Sequence, residues 1–309
     1  MAHDHKHQHH VQTVDTLNRA FIIGIILNAV FIVAEFAAGF WSNSMGLISD
    51  AGHNLSDVAS LILAMIAFRL VKVRSNHKYT YGYKKSTILV SLFNAIILLI
   101  AVVFILIESI EKLMNPQPVE GIVITIVAGI GVIINGITAR LFINNKDKDL
   151  NVKGAYLHMI ADALVSVGVV ISGIVILITD WVIIDAIIGI VIAGIIVYST
   201  WGLLNDSIRL VLDGVPSAIN FDEIVKAICS EKHVVALHHI HIWAISTTEN
   251  ALTAHIVIDN IAQMEPVKEQ LRLKLKKLEI SHVTLEFELQ GTNCTHENDD
   301  EQQCNETKK

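Results

Sequence analysis

Charge, proline and cysteine are all scarce in this chain. Charged residues make up 17% of its 309 positions, against about 25% in soluble domains. That excludes an ordinary water-soluble globule and a disordered polyelectrolyte. Proline occurs 4 times and glycine 17 times, too few for a collagen-like or low-complexity chain. Cysteine occurs 3 times, an odd number that forms no even disulfide framework, so the chain reads as one for a reducing compartment. The net charge is −7 and no basic stripe is present, which argues against a nucleic-acid partner. The chain also lacks His-Glu-x-x-His and a glycine-rich phosphate loop ending in Lys-Ser or Lys-Thr. Metalloprotease and ATP-driven chemistry are therefore without their signatures, and nothing else marks an enzyme.

What is abundant is apolar surface and histidine. Hydrophobic residues reach 52%, the mean hydropathy is +0.53, and there are 15 histidines. Residues 1–205 hold 13 acids and 13 bases, whereas 206–309 hold 17 acids and 10 bases, a difference of −7 that is the whole net charge. Two regimes follow, an electrically balanced apolar one and a water-soluble acidic one. Ahead of both, His3, His5, His7, His9 and His10 mark residues 1–13 as a disordered metal-gathering tail, or else a purification run.

Six apolar segments are each long enough to cross a hydrocarbon layer of about 30 Å at about 1.5 Å per residue. They lie near Arg19–Phe40, Met45–Val71, Thr87–Leu113, Val119–Ile143, Ala155–Ile178 and Val182–Leu204, within a membrane domain of residues 14–208. The loop after the second carries Lys72, Arg74, Lys78, Lys84 and Lys85, and the loop after the fourth carries Lys146, Lys148 and Lys153. Basic loops stay cytoplasmic, so both termini are expected inside. Beyond Asp213-Gly214 the pattern becomes helix (Phe221–Glu231), strand (Val234–Ile245), strand (Ala251–Asp259), helix (Glu265–Leu278) and strand (His282–Leu289). This is a small α+β domain over 209–290, followed by a polar tail, 291–309, expected to be disordered.

Ionisable groups inside membrane spans are costly, and they mark ion pathways or partners. Two spans share a pattern: His53-Asn-Leu-Ser-Asp57 in the second and His158-Met-Ile-Ala-Asp162 in the fifth. Residues at i and i+4 of a helix lie about 40° apart, one turn up, so each pair directs an imidazole and a carboxylate toward one point. Two such helices face to face supply two nitrogens and two oxygens, a tetrahedral set suited to Zn²⁺. Asp50 shares the face of His53 and is a candidate entry or supporting group. Glu35 and Asp185 read as polar contacts between spans. Metal binding needs neutral imidazole, so a proton can replace the metal near neutral pH. A proton-coupled metal transporter is the reading. A membrane-anchored metal sensor is its rival, as is the same scaffold carrying Cd²⁺, Co²⁺, Fe²⁺ or Mn²⁺.

The two pairs, the run Gly46-Leu-Ile-Ser-Asp50-Ala-Gly-His53, the six spans and His238-His-Ile-His241-Ile-Trp243 together resemble the cation diffusion facilitator family over about residues 14–290. The resemblance implies a homodimeric, bacterial-type inner-membrane Zn²⁺/H⁺ antiporter in the lipid bilayer. It would work by alternating access and carry a cytoplasmic ferredoxin-like regulatory domain. Zn²⁺ is then both transported substrate and regulatory ligand, with H⁺ as counter-ion. It implies a second loop site for which His77 is retained, although Tyr81 stands where another histidine is expected. It also implies zinc held across the C-terminal strands by His238 and His255, with Glu288 third and His282 a candidate extra ligand. Cys294, His296 and Cys304 are candidate tail ligands, as in some relatives. Strand alternation sets His238 on one face and His239 with His241 on the other.

Overall fold

Inside a hydrocarbon layer every backbone N–H and C=O must be satisfied within the chain, and a helix does this locally. The computed structural model describes residues 8–42, 45–115, 121–179, 181, 183–291 and 302–304, and within them each of the six apolar runs forms a helix. The helices are α1 (Gln8–Ser42), α2 (Met45–Val71), α3 (Ser86–Met114), α4 (Gly121–Phe142), α5 (Leu150–Thr179) and α6 (Ile183–Val211). Among the described residues, five of them are long and apolar enough to cross a membrane, and α2 contributes the apolar stretch Val58–Val71. Helix α1 starts well ahead of the expected Arg19, so Gln8–Thr13 is helical rather than a disordered tail. No glycine or proline lies between Gln8 and Arg19 to stop the helix.

The chain divides into two units, Met1–Ser207 and Ile208–Lys309. In the first, large side chains such as Phe40, Phe104, Tyr198 and Trp201 point outward, an apolar exterior suited to acyl chains rather than water. The interior combines large apolar side chains with alanines that let helices approach. One cluster joins Phe21 of α1, Leu61 and Ala64 of α2, Ala139 and Phe142 of α4, and Val152, Ala155 and Met159 of α5. A second joins Leu98 and Val102 of α3, Ala161 of α5, and Ile192, Ala193 and Ile196 of α6. Gly189 lets α6 close on α3, since a Cβ there would collide with the Ser109 hydroxyl. The start of α5 is set by Asp149, whose Oδ1 accepts from the backbone N–H groups of Asn151 (2.7 Å) and Val152 (3.3 Å).

The second unit contains α7 (Phe221–Cys229), β1 (Val234–Ala244), β2 (Asn250–Ile258), α8 (Met264–Lys277), β3 (Ile280–Leu289) and a short β4 (Gln302–Gln303). The Asn220 side chain caps α7 by accepting from Glu223 N–H. The sheet order is β3-β2-β1-β4, with β1 and β2 antiparallel and β2 and β3 parallel. The order helix-strand-strand-helix-strand is the ferredoxin-like arrangement without its first strand, which is why β3 pairs directly with β2. Ile224 and Ile228 of α7, and Val267, Leu271 and Leu275 of α8, bury one face of the sheet through Leu237, Ile242, Leu252, Ala254 and Ile256. His255, one step out of phase with the core positions of β2, therefore belongs to the opposite face.

Two expectations about the tail change here. Gln302–Cys304, placed by composition in a disordered segment, lies along β1, with Cys304 N–H bonded to the Val235 carbonyl at 3.2 Å. Cys304 also forms a disulfide with Cys229 of α7, across a sequence separation of 75. A bridged sulfur is no thiolate, so Cys304 is not a metal ligand in this structure. The odd cysteine count hid this pairing, which also departs from the reading of a fully reduced chain.

Candidate metal centres

The membrane pair on α5 is well defined. His158 is buried and Asp162 half-buried, one turn apart on a helix fixed at its start by the Asp149 cap. Next to His158, Met159 belongs to a polar tie between three helices: Asn28 Nδ2 of α1 donates to the Gly24 carbonyl (2.9 Å), Thr138 Oγ1 of α4 (3.5 Å) and Met159 Sδ (3.6 Å). His53 and Asp57 lie one turn apart on α2, which packs against α5. Their side chains, and those of Asp50 and Asp185, lie outside the described residues. Their neighbour Asn54 is described, and its Nδ2 donates to Glu35 Oε2 of α1 at 2.7 Å. Glu35 is only 1% exposed. Its polar contact between spans is thus with the residue following His53, a partner that spacing along one helix does not reveal.

A second cluster lies on the helix-free face of the sheet. His238 of β1 and His255 of β2 are cross-strand partners, and Glu288 of β3 lies diagonally from His255. One ligand atom from each of the three lies within 4.8 Å of the others. Strands about 4.8 Å apart bring three neighbouring strands within reach of one ion only if the outer side chains lean inward, as they do here. Glu288 Oε1 sits 2.7 Å from His255 Nδ1 and 3.3 Å from His238 Nε2. His255 Nε2 faces the other way, 3.4 Å from Glu286 Oε2. Without an ion the short contact is an Nδ1–H donating to Glu288; an ion at Nδ1 would take that proton's place and leave Nε2–H toward Glu286, the support that metal-binding histidines use. Nδ1 of His238 is buried with no hydrogen-bond partner among the described residues. Two imidazoles and a carboxylate form a donor set suited to Zn²⁺.

Burial alone would raise the Glu288 pKa, but the His255 hydrogen bond, together with the charge and hydrogen bond of His238, outweighs it and holds the carboxyl below its ordinary 4.5. A depressed carboxylate pKa contributes stability above the unfolded value that is lost as pH falls through the folded one. With chelator present, the thermal stability of the parent relative to Glu288→Gln should shrink as pH is lowered from 4.5. Thermal melts at stepped pH check this, and a gap unchanged on acidification would refute it.

The structure does not bring His282 to this cluster. It pairs with Ala251, four residues along β3 from Glu286, the partner of His255. At about 3.3 Å per residue that is roughly 13 Å away. His77 is exposed in the loop after α2 and joins no ligand cluster among the described residues. Cys294 and His296 lie outside the described residues. The expected opposition of His238 to His241 fails as well. Register runs from His238 opposite His255 to His241 opposite Thr253, so β1 holds one extra residue there. This β-bulge shifts the alternation and returns His241 to the face of His238. Patterning along a single strand cannot show a bulge, because it exists only in the pairing with β2.

Comparison with known proteins agrees with both halves of the chain. Residues 21–212 match the cation efflux transmembrane domain, and residues 216–289 match the cytoplasmic domain of cation efflux proteins. A cation efflux system protein CzcD from Alcaligenes sp. (strain CT14) is 36% identical over 88% of this chain and 86% of its own length. A cadmium, cobalt and zinc/H(+)-K(+) antiporter from Bacillus subtilis (strain 168) is 33% identical over 91% of each chain. A zinc transporter ZitB from Pectobacterium atrosepticum is 33% identical over 96% of this chain and 92% of its own. With apolar spans, paired ionisable residues within them and a sheet domain following them in the sequence, the chain belongs to the cation diffusion facilitator family of cation efflux transporters and is not an enzyme.

Proposed function

We propose that this protein exports cytoplasmic Zn²⁺ in exchange for protons across a bacterial inner membrane, as a homodimer with both termini in the cytoplasm. The observation that carries the reading is the repeated His-x-x-x-Asp on α2 and α5, two helices in direct contact. His53, Asp57, His158 and Asp162 supply two neutral nitrogens and two carboxylates, whose charge balances that of Zn²⁺ within the membrane. Rocking between inward- and outward-open states carries the ion across. Protons from the far side then titrate the histidines and carboxylates and release it. The names of the relatives support zinc as cargo and protons as counter-ion, and one of them extends the candidates to cadmium and cobalt.

The cytoplasmic cluster of His238, His255 and Glu288 is the second element of the proposal. Metal held there ties three strands on the helix-free face and tunes transport from the cytoplasmic side. The test of the whole reading is ⁶⁵Zn uptake into everted vesicles or proteoliposomes under an imposed pH gradient, with Cd²⁺ and Co²⁺ as competitors. Gradient-dependent zinc accumulation that collapses with a protonophore is the expected result. Zinc bound at the protein but never accumulated would instead favour the membrane-anchored sensor.

A further inference from the structure

We infer that His239 is a fourth ligand of the cytoplasmic cluster, completing a set of three histidines and one glutamate with His238, His255 and Glu288. The inference rests on reading that cluster as a metal site. Three observations carry it. First, His239 is the residue that follows His238 into the bulge between His238 and His241, and bulges re-aim side chains. Second, its φ is +49°, in the left-handed region that non-glycine residues seldom enter. Such a conformation persists where surrounding structure imposes it, and it gathers at binding sites. Third, the result is convergence. The His239 ring centroid lies 4.8 Å from that of His255 and 5.3 Å from that of His238, while the His238 and His255 rings are 5.2 Å apart. The three rings are mutual neighbours, although regular alternation would have sent His239 to the opposite face.

Structural zinc sites are four-coordinate, and the close set supplies three ligands. Glu286 is the other candidate for the fourth position, but it meets His255 at Nε2, while Glu288 meets the same ring at Nδ1. The two ring nitrogens point in divergent directions, so an ion on the Nδ1 side, with Glu288 and His238, is turned away from Glu286. His239, half-buried on the neighbouring strand, closes onto the locus by a side-chain rotation. Glu286 then orients His255, and His239 ligates.

The decisive variant is His239→Gly. Glycine accepts a positive φ without strain, so it keeps the bulge and preserves or raises thermal stability in chelator while removing the imidazole. His239→Ala serves as the companion variant. Zn²⁺ affinity is measured by competition with a chelating dye on the full-length protein in detergent, with Asp57→Asn and Asp162→Asn as background to silence the membrane site. Co²⁺ is used as the spectroscopic probe. Both His239 variants should bind Zn²⁺ at least tenfold more weakly and show reduced Co²⁺ d–d absorption. If His255→Ala removes the binding while His239→Gly leaves affinity and spectrum unchanged, His239 is no ligand and the three-residue site stands. If His255→Ala and His238→Ala also change nothing, the metal-site reading fails and this inference fails with it.

Discussion

Asp162→Ala should reduce gradient-driven zinc flux to background, a loss of at least about a hundredfold. Removing a group that merely supports a metal ligand already costs about 10–100-fold, and Asp162 is placed here as a ligand itself. Two neutral imidazoles and two carboxylates cancel the charge of Zn²⁺, whereas losing one carboxylate leaves a net positive charge inside a helix bundle, where uncompensated charge is expensive. Asp57→Ala should behave in the same way, because the proposed site uses the two pairs as one set. Glu108 provides the control. It is also an acid of a membrane helix, but it is largely exposed and pairs with Lys112 one turn away, so Glu108→Ala should transport at the parent rate. Initial rates in everted vesicles, normalised to folded protein by thermal melting in detergent, distinguish these outcomes. Parent-like flux in either aspartate variant would show that the ion does not pass through this set.

Local periodicity carried the fold a long way. The α2 limits match the expected Met45–Val71, and β1 and β2 end within one residue of their alternation. Each of those signals is contained in consecutive residues: an apolar run of membrane length, or in-out alternation. What local pattern could not reach depends on pairing between distant segments. Asn54 and Glu35 meet because α1 and α2 pack together, and nothing along α2 names that partner. Cys229 and Cys304 meet because the chain returns to the β1 edge. The bulge at His239 arises from register with β2. The site residues divide in the same way. The His-x-x-x-Asp pairs are visible because one helical turn defines each, whereas the sheet cluster draws one residue from each of three strands and took the resemblance to propose. His282 illustrates the limit: a histidine on the same strand as Glu288 looks equivalent until register separates them.

His255→Ala should then weaken zinc binding by the cytoplasmic domain more than any other single change there, by at least about a hundredfold, since loss of supporting groups alone is worth about 10–100-fold. His255 lies on β2, between the strands bearing His238 and Glu288. Its Nδ1 is 2.7 Å from Glu288 and its Nε2 is held by Glu286. Removing the ring takes away one ligand and also the group that fixes the Glu288 carboxylate, so Glu288 loses the hydrogen bond that counters its burial. Replacement of His282, exposed and well along β3 from the cluster, should leave affinity unchanged. Zinc stoichiometry and competition titrations on full-length protein provide the readout. Transport separates regulation from passage: with His53, Asp57, His158 and Asp162 intact, His255→Ala should keep zinc flux under a pH gradient but change how that flux depends on cytoplasmic zinc. Abolished flux in His255→Ala, with the protein folded and the membrane set intact, would place the cytoplasmic cluster on the transport path itself and overturn its assignment as a tuning site.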